Sequence, residues 1–166
     1  GHPDFVKWGP SEQGDIRDKA RLKEVLAKYQ PKAAMHFAGL IEVGQSFKEP
    51  EHFYDVNVSG TLSLLQALSV CDRPTLVFTS SAEVYGEPFY QLQDERHPTQ
   101  PTTALGRSLL QAETLIADTV ASHSTDWRVA ILRCFHPAGA HESGLVGDSQ
   151  GLSDTSEGLL PKLARV

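Results

Sequence analysis

The stretch LVFTSSAEVYGEP, residues 76–88, runs an apolar strand into a loop that carries Ser80, Ser81, Glu83 and Tyr85. Hydroxyls and a carboxylate at a strand end can hydrogen-bond a bound ligand, and such loops are where many α/β proteins keep their chemistry. Downstream, PTTALGRSLLQAE, residues 101–113, opens an amphipathic helix with Leu105 and Leu109 four apart and so on one face. Neither leucine can transfer a proton or stabilise an oxyanion. TSSAE is not the small-residue elbow that exposes a nucleophile, which disfavours a Ser-His-Asp hydrolase. His136 and His141 sit on a Pro/Gly loop without a paired carboxylate or cysteine, so no metal is expected. Cys71 and Cys134 form no CxxC pair, and a disulfide framework is not expected either.

The elements that must position these groups alternate along the chain. Residues 4–8 read as a short strand; residues 18–31 read as a helix with Leu22, Val25, Leu26 and Tyr29 on one face, ended by Pro31. KAAMHFAG, 32–39, is a nearly continuous apolar run, as expected of a strand buried on both faces. Residues 49–70 predict a helix with Pro50 at its start and a stripe through Phe53, Asn57, Gly60, Leu64 and Leu68. Strands at 75–80 and 128–135, a helix from about 101 and a further helix in EGLLPKLARV complete the pattern. The succession predicts an α/β fold, a Rossmann-like parallel sheet with helices on both faces and ligands at the carboxyl ends of the strands. Residues 141–158, rich in Gly, Ser and Asp, predict a long surface loop.

With 166 residues and 40 % hydrophobic content, the chain can bury one good core. A net charge of −6 without a Lys/Arg cluster excludes a phosphate-backbone partner, so no nucleic acid is expected. No stretch approaches a membrane span and the start has no signal pattern, so no membrane partner is expected and a cytoplasmic location fits. The first residue is not Met, which suggests a partial chain.

The strand-end loops GDIRD (14–18), HFAGLIEVGQS (36–46), TSSAEVYGEP (79–88) and CFHPAGAHESG (134–144), with NVSGT on the second helix, resemble the extended short-chain dehydrogenase family. The likeness is closest to the UDP-glucose 4-epimerases and covers essentially the whole chain. It implies NAD as cofactor and a UDP-sugar as substrate. By position it implies cofactor contacts from Asp15, Ile16, Phe37, Ala38, Gly39, Asn57 and Ser80, and a hydrogen bond from Ser81 to the sugar hydroxyl being oxidised. Apart from the likeness, Asp15 reads equally as a turn or cap residue, Gly39 as a strand stop, and Asn57 as a satisfied structural amide.

The departures bear on activity. Hydride transfer in this family needs a tyrosinate and a lysine four residues on, which lowers the tyrosine pKa. The family's YGRSK reads LGRSL here, so Leu105 and Leu109 stand at the Tyr and Lys positions. Arg107 points to another side of the helix and does not replace them. Glu83 stands where the family commonly has Thr, and a carboxylate beside an anionic nucleotide sugar is unfavourable. On the substrate side His136 replaces the family's Asn, and Gly158 and Leu159 fall where the nucleotide is gripped.

The expected molecule is therefore a catalytically inactive partial or degenerate copy of an epimerase. The alternatives are a scaffold or oligomerisation module and a subunit completed by another chain. In domain terms, residues 1–140 are a partial dinucleotide-binding domain, and residues 141–166 are a loop and the start of a substrate-binding segment. Relative to the family, the Gly-rich strand-turn-helix that binds the pyrophosphate is missing, as are the two central strands. An uncovered apolar strand edge tends to recruit a partner, and a homo-oligomer through the helices at 50–70 and 101–121 is expected.

Overall fold

The computed structural model describes residues 9–122, 127–139 and 141–144. Residues 14–134 form one compact unit; residues 1–13 and 135–166 belong to a second.

In the first unit, helix α1 (Lys19–Tyr29) starts where the Asp18 carboxylate accepts a hydrogen bond from the Arg21 N–H at 3.0 Å, satisfying a donor that a helix start leaves open. It stops at Gln30, whose φ of 45° turns the chain before Pro31. Leu22 and Leu26 pack against the core as the periodicity expects. Tyr29 does not follow them: it is 39 % exposed, with the Lys28 ammonium 4.9 Å from its ring centre.

Strands β1 (Ala34–His36), β2 (Thr75–Ser81) and β3 (Arg128–Cys134) form a parallel sheet in the order β1-β2-β3. His36 is paired with Phe78, and Ser81 with Cys134. On β2 the alternation of a strand buries Leu76, Phe78 and Ser80 on one face. The run 32–39 differs from expectation in two ways. Only three of its residues are strand, and Met35 and Phe37 are 63 % and 65 % exposed while His36 is buried. The reason is its place in the sheet: among the described residues β1 has β2 as its single neighbour, an edge strand with one face packed.

The first crossover contains α2 (Val43–Ser46), within what the sequence presents as a loop, then α3 (Pro50–Tyr54) and α4 (Gly60–Leu68). Pro50 occupies the first turn, where its missing N–H is harmless. Phe53, Asn57, Gly60, Leu64 and Leu68 are all buried, as their spacing requires. The expected single helix is nevertheless interrupted by a π turn over Asp55–Ser59. Within this stretch the Thr61 hydroxyl donates back to the Asn57 carbonyl at 2.6 Å.

The second crossover runs through a 3-10 turn (Ala82–Val84) to α5 (Ala104–Ser122). α5 begins three residues after the expected start because Thr103 caps it, its hydroxyl accepting the Gly106 N–H at 2.9 Å. Phe53, Leu65, Leu76, Val84, Leu105 and Ile116 belong to one apolar cluster that joins sheet and helices.

The described residues of the second unit include a turn at 141–144, in which the Gly144 N–H reaches the His141 carbonyl at 2.9 Å. The strand read at 4–8, the helix read in EGLLPKLARV, most of the loop at 141–158, and Gly158 and Leu159 lie outside the described residues.

Candidate functional site

The carboxyl ends of the strands in the first unit bring together three polar assemblies and one apolar face.

The first assembly centres on Asn57. Its carboxamide oxygen accepts the Leu40 N–H at 2.9 Å, and its amide donates to the Leu40 carbonyl at 3.2 Å and to the Ser108 hydroxyl at 3.0 Å. The Ser108 hydroxyl in turn donates to the Leu105 carbonyl at 2.8 Å. A buried amide thus has its partners and ties the loop after β1 to α5. Gly39 is part of this fit, because a β-carbon there lies 3.0 Å from the Asn57 oxygen. The chain of bonds continues to the sheet: Thr61, already donating to Asn57, accepts at its hydroxyl from His36 Nε2, 3.1 Å away. The His36 ring is buried and tilted 5.4 Å from Phe78, and burial lowers its pKa to about 4, so it is neutral at pH 7.

The second assembly lies at the ends of β2 and β3. The Ser80 hydroxyl donates to Glu113 at 2.5 Å, and Arg133 donates to both Glu113 oxygens, the shortest contact being 2.7 Å. The Glu113 side chain is 6 % exposed and that of Arg133 24 %. The guanidinium carbon also lies 4.9 Å from the Tyr85 ring centre. The hydrogen bonds from Arg133 to Glu113 hold the guanidinium pKa above the ordinary arginine value, so Arg133 is charged.

The third assembly surrounds Glu83. Thr103 donates to the Glu83 carboxylate at 3.1 Å while capping α5, and the Glu83 N–H donates to Ser81 Oγ at 3.2 Å. Gly106 permits the approach of helix and turn, since a β-carbon there would meet the Glu83 carbonyl at 2.4 Å. Gly86, at φ +69°, faces the Gln100 carbonyl so closely that no side chain fits, and only glycine adopts that backbone freely. Glu83 thus serves as a helix anchor; the sequence shows its charge but not this partner.

Leu105 and Leu109 form the apolar face. They are 2 % and 8 % exposed and belong to the core cluster. Arg107 is exposed, as its position on the helix requires, and donates to the Thr102 carbonyl at 3.1 Å.

The other residues singled out in the sequence are more dispersed. Both Asp15 oxygens accept hydrogen bonds from the Arg17 side chain, at 2.9 and 2.6 Å, which holds the Asp15 pKa well below the carboxylate range. Arg17 bridges onward to Asp55 at 2.5 Å. Ile16 packs against α4, where a β-carbon on Gly60 would stand 2.6 Å from its methyl group. Phe37, Ala38 and Gly39 are exposed beyond β1. In the second unit His136 is exposed, and His141 Nδ1 lies 2.8 Å from the Ser143 hydroxyl. Among the described residues no three His, Cys, Asp or Glu side chains converge, and no helix is long and apolar enough to cross a membrane.

Glu113 and Arg133 are functional-looking groups that the sequence reading passed over. Their signal was present: Glu113 continues the Leu105–Leu109 spacing by four, and a carboxylate on an apolar stripe must find a partner.

The family model for GDP-mannose 4,6 dehydratase matches residues 10–150. The UDP-glucose 4-epimerase of Rhizobium leguminosarum bv. trifolii is 47 % identical over 148 residues, which are 89 % of this chain and 45 % of the relative. The Homo sapiens UDP-glucose 4-epimerase is 41 % identical over 157 residues, 93 % of this chain and 44 % of that one. Among solved structures, the Brucella ovis UDP-glucose 4-epimerase in complex with NAD superposes with a TM-score of 0.89 at 36 % identity, over 98 % of this chain and 48 % of that one. The Stenotrophomonas maltophila enzyme with bound NAD and formylated UDP-arabinopyranose gives 0.85 at 38 % identity, covering 93 % and 45 %. The chain therefore spans about 45 % of the length of these curated relatives.

Proposed function

Because this chain belongs to the GDP-mannose 4,6 dehydratase family and has a UDP-glucose 4-epimerase-like fold over most of its length, we propose that it is a non-catalytic epimerase-like domain. In this reading it keeps the framework of a nucleotide-sugar site and has given up the proton transfer. The observation that carries the reading is the burial of Leu105 and Leu109 in the core, at the positions where the resemblance expects a tyrosine and a lysine. An apolar side chain can neither take a hydroxyl proton nor lower a neighbour's pKa.

A nicotinamide dinucleotide is the cofactor that the fold implies, and the residues present do not fit a reacting one. At positions 105 and 109 there is neither a hydroxyl nor an ammonium, and the Ser80 hydroxyl is committed to Glu113. The Asp15 carboxylate, which the resemblance sets against adenine, is held by Arg17. No hydride or proton step is therefore assigned to this chain. The full chain, supplied with NAD and UDP-galactose, is expected to form no UDP-glucose above background in a coupled assay. Turnover that scales with the amount of chain overturns the proposal.

A second reading, that the chain works as an assembling subunit, is supported by the β1 edge, beside which Met35, Phe37 and Ile41 are 63 %, 65 % and 81 % exposed. Sedimentation of the full chain at high micromolar concentration is expected to show self-association; a strict monomer removes this reading.

A further inference from the structure

The loop between the 3-10 turn and α5 presents apolar side chains outward from a rigid base. Phe89, Tyr90 and Leu92 are 63 %, 45 % and 92 % exposed. The base is His97, buried, with its ring 4.7 Å from Tyr90 and 5.5 Å from Tyr85. His97 Nε2 accepts the Phe89 N–H at 3.0 Å, which leaves Nδ1 to donate to the Pro98 carbonyl, also 3.0 Å away. The Tyr90 hydroxyl donates to Asp94 at 3.2 Å, and Asp94 also accepts the Arg96 N–H. Leu92 itself stands at φ +63°, a left-handed conformation that leucine adopts only at a cost and that aims its side chain into solvent.

Folding alone rewards neither the exposure nor the backbone strain. Strain that the surrounding structure enforces is a mark of sites that work. Exposed apolar residues held close together mark a binding surface, and their rim indicates what they bind. Here the rim is acidic, with Glu87, Asp94 and Glu95 exposed against Arg96 alone. Such a rim repels anionic lipid and nucleic acid. The charge of the rim favours a cationic polypeptide.

We propose that the loop 87–96 docks a partner polypeptide through Phe89, Tyr90 and Leu92, the partner bringing an apolar patch flanked by Lys or Arg. The proposal does not depend on the catalytic reading, because none of these residues belongs to the three assemblies at the strand ends.

The probe is a short synthetic peptide of alternating Leu-Phe and Lys-Lys pairs, titrated into the full chain by calorimetry at low salt. Binding is expected in the range of about 10–100 µM. Phe89→Ser and Leu92→Gly should each weaken it at least about tenfold. Leu92→Gly suits a positive φ and should hold or raise the melting temperature, so a loss of binding in that variant is not a loss of folding. Val70→Ser removes an apolar side chain 72 % exposed elsewhere and should leave the affinity unchanged. The idea is overturned if the loop variants bind as well as the parent, if the peptide with Glu for Lys binds equally, or if vesicles containing phosphatidylglycerol take up the chain through Phe89 and Leu92. Self-association that disappears in the loop variants overturns it as well.

Discussion

Truncating Leu105 or Leu109 to alanine distinguishes a filled core from a vestigial pocket. Leucines lining an open ligand site lose little on truncation, because water or solute replaces the missing methyl groups. Leucines 2 % and 8 % exposed in a close-packed cluster lose both the transfer free energy and the contacts around the new cavity. For Leu→Ala in a core that total is about 2–5 kcal/mol, and how far the surroundings relax sets the value within the range. Here they relax little. The α5 start is pinned by its Thr103 cap, and Gly106 lies so close to the Glu83 backbone that a β-carbon would stand 2.4 Å from its carbonyl oxygen. The helix cannot advance into the space, so about 3–4 kcal/mol is expected for Leu105→Ala and about 1 less for the more exposed Leu109. One turn apart, the two truncations share a cavity, and the double variant should not equal the sum of the singles. Leu109→Met, which conserves volume, should cost less than about 1.5 kcal/mol. Equilibrium urea unfolding gives these values directly. Losses under about 1 kcal/mol at both positions would refute the filled core and reopen the case for a ligand pocket.

Arg133→Met leaves the buried Glu113 carboxyl without its ion-pair partner and should destabilise by about 3–5 kcal/mol. Adding Glu113→Gln, which still accepts from Ser80, should restore a large part of that in the same unfolding assay; no recovery would mean that Arg133 acts through its packing on Tyr85 instead. His36, with a pKa of 6.5 unfolded and about 4 folded, is protonated first in the unfolded chain. Stability should therefore fall as the pH drops from about 6.5 towards 4, by about 3 kcal/mol in all. His36→Gln should flatten that part of the stability–pH curve, and an unchanged slope would exclude His36 as its source.

The parallel sheet, its crossover helices and their buried stripes were legible because each rests on periodicity within one segment. Phe53, Asn57, Gly60, Leu64 and Leu68 follow the helical repeat and are all buried. Where the reading failed, the deciding partner is distant in sequence or the effect is a local exception. Met35 reads as core by its apolar type, yet its exposure depends on which strand stands beside β1. The π turn over Asp55–Ser59 is a local exception that no helical repeat reports. The sequence shows the Glu83 charge, and only Thr103, 20 residues on, shows what that carboxylate binds.

The polar groups at the strand ends are tied together by bonds that hold the fold. Asn57 bonds the Leu40 backbone and the Ser108 hydroxyl, and Ser108 bonds the Leu105 carbonyl, a main-chain group present whatever side chain stands there. The α5 start is capped by Thr103, whose hydroxyl Glu83 accepts, and its middle is anchored through Glu113 to Ser80 and Arg133. None of these bonds uses the side chain of residue 105 or 109. A leucine at either position therefore breaks none of these bonds, and it adds apolar burial. The groups that hold α5 in place are thus residues other than 105 and 109, which makes leucine at those two positions compatible with the fold.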